Sequence, residues 1–136
     1  MSLGYVGICS LLEQNEEIAV YAYSGANWNI PGCHEYGDLD GRFWIDKRYL
    51  DEPELHPKNM RRPSGEKYVV FKKIIRFPDI TEHIAQGHIY IERECKNAFR
   101  RSSGAGIDYI ARRLLVKIIT SYQENGVLPE KECFIQ

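Results

Sequence analysis

No apolar run in the 136-residue chain approaches the ~20 positions that a membrane-spanning helix requires, so no spanning segment is expected. The first seven residues lack the basic start and long apolar core of a secretory leader, which makes the cytoplasm the expected compartment. Cysteine is sparse: Cys9, Cys33, Cys95 and Cys133 are scattered with no paired spacing. That excludes a disulfide framework and a zinc motif of ordinary Cys/His spacing, and unpaired thiols are expected. Adjacent Cys33 and His34 are awkward joint ligands of one tetrahedral ion, and His56, His83 and His88 add no ligand spacing. Asp38, Asp40 and Gly41 start like a calcium loop, but its twelfth position is Tyr49 where a Glu is required. Neither a P-loop nor a dinucleotide fingerprint is present. No metal and no cofactor are therefore expected.

What is present fits one ordinary globular domain. Hydrophobic residues make up 43% and charged residues 27%, which favours neither a disordered nor a fibrous class. The net charge of −1 hides a polarity along the chain. Residues 1–57 hold ten acidic and three basic side chains, whereas residues 58–136 hold nine acidic and fifteen basic. Such a chain either folds its two halves against each other or presents two surfaces of opposite sign.

The clearest pattern is in residues 107–122, where Ile107, Ile110, Ala111, Leu114, Leu115, Ile118, Ile119 and Tyr122 recur at helical spacing. On its polar side Asp108 and Arg112 are spaced for an ion pair, and Asn125, Gly126 and Pro129 supply the stop. The stripe needs an apolar surface to lie on, which the β-like segments must provide. These are residues 4–12 and 18–23, read as a hairpin with a four-residue connection, then 42–47, 67–76 as the strongest strand, and 88–94. Asp79 with Glu82 is a capping box for one short helix that Gly87 ends. Residues 24–41 and 51–66 carry turn chemistry and read as loops, and the tail 127–136 packs down. The expected fold class is α+β: a mainly antiparallel sheet of four to six strands packed on one long C-terminal helix, plus one short helix, in a single domain over residues 1–136.

Three places attract chemistry. In the loop 24–41, Trp28 and Tyr36 offer aromatic contact area beside Asp38 and Asp40, a pattern suited to binding a basic protein partner. Before the long helix, Arg100, Arg101, Ser102, Ser103 and Gly104 place cations, hydroxyls and a flexible backbone where helix amides favour anions. Residues 58–117 hold fourteen Lys and Arg against six acids, a surface for phosphate neutralisation with Tyr68, Phe71 or Tyr90 for stacking. For catalysis, Cys95 with His83 or His88 is the one nucleophilic combination to weigh, and Glu92 and Glu94 are the paired acids, but no spacing is one that chemistry demands. The expected function is a small cytoplasmic, non-enzymatic protein-binding module of the inhibitor or immunity type that neutralises a basic partner. The alternative is a phosphate-anion or nucleic-acid binder using the basic second half.

Overall fold

In the computed structural model, which describes residues 3–35, 37–99 and 106–136, β1 (Tyr5–Gln14) and β2 (Ile18–Asn27) form an antiparallel hairpin. Its turn has three residues instead of four, because the Asn15 side-chain carbonyl accepts from the amides of Glu17 and Ile18, each at 2.8 Å. β3 (Gly41–Asp46) pairs with β2, and β6 (Ile89–Arg93) pairs with β3. On the other side, β7 (Lys131–Ile135) pairs with β1, so the tail is the fifth strand. The sheet order is β6-β3-β2-β1-β7, and every pairing is antiparallel.

One face of this sheet is covered by α2 (Tyr109–Asn125), whose Ile110, Ala111, Leu114, Leu115, Ile118 and Ile119 are all buried. They meet alternate strand residues, including Cys9, Tyr21, Tyr23, Phe43, Ile45 and Ile89, in one continuous core. Gly126, at φ +78°, caps the C-terminal end through a backbone bond to the Tyr122 carbonyl. At the other end Asp108 is the N-cap and is fully buried. It is not a surface partner for Arg112: its carboxylate accepts from the Ile110 and Phe99 amides at 3.1 and 3.0 Å and from the Tyr23 hydroxyl at 2.7 Å. The unpaired amides of a helix start require such an acceptor.

β2 extends four residues beyond its expected end, since Ser24, Gly25, Ala26 and Asn27 are buried strand and not loop. Gly25 reads as a turn residue, yet its role is close approach. A Cβ there would lie 2.6 Å from Ile110, and one on Gly7, its cross-strand partner, 2.4 Å from the Phe134 ring. The pair lets the first turn of α2 lie on the sheet.

The larger departure is in the middle of the chain. Residues 54–61, expected to be loop, form β4 (Glu54–Arg61), paired with β5 (Lys67–Ile74) in a separate two-stranded ribbon. Proline in a strand is tolerated here because a ribbon has only edge strands, so Pro57 has no inner neighbour to donate to. β5 is consequently not under the long helix, as its strength in sequence suggested, but almost wholly exposed. The ribbon springs from the C-terminal end of α2. There the buried Gln123 side chain clamps the Arg76 backbone, accepting at 2.9 Å and donating at 2.8 Å. Lys73 Nζ donates to the Gln123 and Glu124 carbonyls at 3.2 and 3.3 Å, where a cation suits the helix dipole. α1 (Ile80–Ala85) follows, with Asp79 capping the Glu82 amide at 3.1 Å and Ile80 buried, and it packs beside the edge strand β6.

Candidate functional site

The loop that follows β2 is pinned at its root. Asn27 donates from its backbone to the Cys33 carbonyl at 2.8 Å, its side chain accepts from the Asn29 amide at 2.8 Å, and the Trp28 amide donates to Gly4 at 2.9 Å. From the far side, residues that follow β6 hold the same loop. The Asp40 carboxylate accepts from the Lys96 amide at 3.2 Å, Arg93 Nε donates to the Asp40 carbonyl at 2.8 Å, and Asn97 Nδ2 bridges the Gly25 and Glu35 carbonyls at 3.0 and 2.9 Å.

Between these walls is an open depression of about 560 Å³ whose lining includes His34, Glu35, Asp38, Asp40, Lys96 and Asn97. Three acidic residues and one lysine are among its lining residues, which gives it a net negative charge. Asp38 and Asp40 are thus brought together, and Glu35 joins them. Trp28 is not among the lining residues; it stands 55% exposed on the same loop. Tyr36 lies outside the described residues, as do Arg100, Arg101, Ser102, Ser103 and Gly104. The negative group at the start of α2 is the chain's own Asp108 carboxylate.

The Cys and His combination is not assembled. Cys95 is buried against Tyr23 and Asp108, with its Sγ 3.7 Å from Asp108 Oδ2, and burial reinforced by that carboxylate pushes its pKa up to about 12. The Tyr23 hydroxyl is pushed well above its usual range by the same burial and the same acid. The two histidines form a different chain, missed in the sequence. His83 Nε2 lies 2.6 Å from Asp51 Oδ1, its Nδ1 lies 3.3 Å from His88 Nδ1, and the Tyr49 ring stacks on His88 at 3.9 Å. The five-residue spacing of His83 and His88 across Gly87 was a signal, but Asp51 is too distant in sequence to have been found. No nucleophile joins this chain of contacts among the described residues. It ties the segment after β3 to α1, and Asp46 and Arg48 do the same locally. The Arg48 side chain binds both Asp46 oxygens, at 2.9 and 2.7 Å, and holds that carboxyl below its usual range. Glu92 forms a salt bridge with Arg42 at 3.6 Å, both side chains partly exposed.

Among the described residues no three His, Cys, Asp or Glu side chains are placed to hold a metal ion, and no helix is long and apolar enough to cross a membrane. Comparison with protein-family models, with curated proteins and with solved structures finds no match.

Proposed function

We propose that this chain acts by binding another protein, whose basic surface is received by the acidic loop between β2 and β3. Neutralisation of a basic toxin or nuclease is the concrete form. The observation that carries the reading is the convergence of Glu35, Asp38 and Asp40 on one open depression that backbone and Asn97 hydrogen bonds hold from both sides. Pre-organised acids steer a cationic partner and lose little entropy on binding it. Trp28 adds a half-exposed aromatic anchor of the kind that dominates interfaces.

Asp38 is the cleaner probe, because Asp40 also holds the Lys96 amide. Against a basic protein encoded in a neighbouring reading frame, Asp38→Asn with Glu35→Gln is expected to slow association several-fold and flatten its salt dependence. Trp28→Ala is expected to weaken Kd by about tenfold or more, the effect of losing an interface hot spot. Thermal midpoints stay within a degree or two of the parent, since all three side chains are exposed. Unchanged association and unchanged salt response in the double variant refute the reading.

A second reading, a binder of anions or nucleic acid built on the basic second half, is favoured by a different part of the molecule. That part is the ribbon.

A further inference from the structure

The β4–β5 ribbon has two eight-residue strands that pair as strands only with each other, and of their side chains only Met60 and Tyr68 are even half-buried. Residues opposite one another share a face. Leu55 with Lys73, Pro57 with Phe71, Asn59 with Val69 and Arg61 with Lys67 form one face; His56 with Lys72, Lys58 with Val70 and Met60 with Tyr68 form the other. Some cations have internal partners. Arg62 lies 3.5 Å from Glu66 and over the Tyr68 ring, Arg76 lies 3.6 Å from Glu54, and Lys73 sits on the α2 carbonyls. Lys58, Arg61, Lys67 and Lys72 have no carboxylate partner among the described residues. Arg61 stands directly opposite Lys67, and Lys58 lies diagonal to Lys72. Like charges so placed weaken a two-stranded ribbon that is marginal on its own, and a polyanion between them removes the penalty.

We propose that the ribbon is a binding arm for B-form duplex DNA. The major groove of that duplex admits a two-stranded ribbon, and strands of this length reach ~27 Å, about eight base pairs. The four cations with no carboxylate partner among the described residues lie on both faces of the ribbon, Arg61 and Lys67 next to its tip, so the two walls of a groove can reach all four, whereas a flat acidic protein surface would engage one face. Exposed Leu55, Val69 and Phe71 are available to thymine methyl groups. At the tip, Pro63 sits in a turn closed by Gly65 N donating to the Arg62 carbonyl at 2.8 Å, with Gly65 at φ +90°. The deep, narrow groove of duplex RNA does not accept such an arm. The acidic loop does not cancel the charge. It adjoins the N-terminal end of α2 through Cys95 and Lys96, and the ribbon springs from the other end of that 17-residue helix, ~25 Å away and beyond the ~8 Å Debye length.

The test is fluorescence anisotropy with a labelled duplex of about 25 base pairs, titrated from about 50 to about 200 mM salt. Four phosphate contacts give a slope of log K against log salt of about −3 to −4. Lys58→Gln with Lys72→Gln should reduce that slope by about two while the thermal midpoint does not fall, and the Asp38→Asn variant should bind DNA as the parent does. Any one of four results overturns the assignment: no binding at the lowest salt, an unaltered slope in the ribbon variant, loss confined to Arg100→Ala with Arg101→Ala, or polyglutamate or duplex RNA competing as well as DNA at equal charge.

Discussion

Asp108 joins the loop before α2 to the sheet beneath it, because one buried carboxylate accepts from the Phe99 amide, the Ile110 amide and the Tyr23 hydroxyl. The capping role of Asp79 is legible in sequence, since its partner Glu82 is three residues away. That of Asp108 is not, because Tyr23, which makes it a core residue, is separated from it by most of the chain. The same pocket decides thiol chemistry. Cys95 and Cys9 both have pKa values pushed up to about 12, chiefly by burial. A raised thiol pKa favours the folded state below the ordinary value of about 8.5, and the contribution fades as pH rises toward the folded value. At neutral pH neither thiol is ionised, and neither is accessible. In the native protein a disulfide reagent should therefore modify Cys133 and Cys33, exposed and half-buried, and should reach Cys9 and Cys95 only after denaturant is added. Rapid modification of all four without denaturant would contradict this core.

At the scale of elements, α2 is the strongest case for pattern reading. Its apolar stripe runs without a break, and the face it predicts is the face that is buried. Leu114→Ala or Ile118→Ala should cost about 2–5 kcal/mol in denaturant unfolding, because both side chains are fully enclosed and leave a cavity. A loss under 1 kcal/mol at either position would mean that the helix does not pack as described. The strands were legible where apolar and polar residues alternate, as in β3 and β6, and obscure where other demands took over. Gly25 stands in β2 to admit Ile110, and a lone glycine in sequence cannot announce that a helix will lie on it. Pro57 disguised β4, because the rule that bars proline from strands applies to inner ones. β5, with Tyr68, Val69, Val70 and Phe71, has the composition of a core strand, and composition says nothing about whether a layer will cover it.

For the molecule as a whole, few ion pairs join the acidic and basic halves of the sequence among the described residues. Among salt bridges between described residues, only Glu54–Arg76 pairs a carboxylate of the first 57 residues with a Lys or Arg of the rest. The acidic loop was legible as a candidate, and Asp38 and Asp40 do line one depression with Glu35. The ribbon as an arm was not, because its meaning depends on standing clear of the core. The five-stranded sheet is interlaced: β6 lies on β3 and β7 on β1, so both outer strands come from residues after the ribbon and all three inner ones from residues before it. Cutting the polypeptide at the arm's tip severs no contact in the core. Pieces ending at Arg61 and beginning at Lys67, expressed separately and mixed, should copurify as a one-to-one complex with the far-ultraviolet spectrum of the intact chain. Failure to associate would show that the arm's covalent link is needed to close the sheet. If they do associate, the tip is a natural seam, where this protein can be split in two, or carry an inserted passenger, and still complete itself.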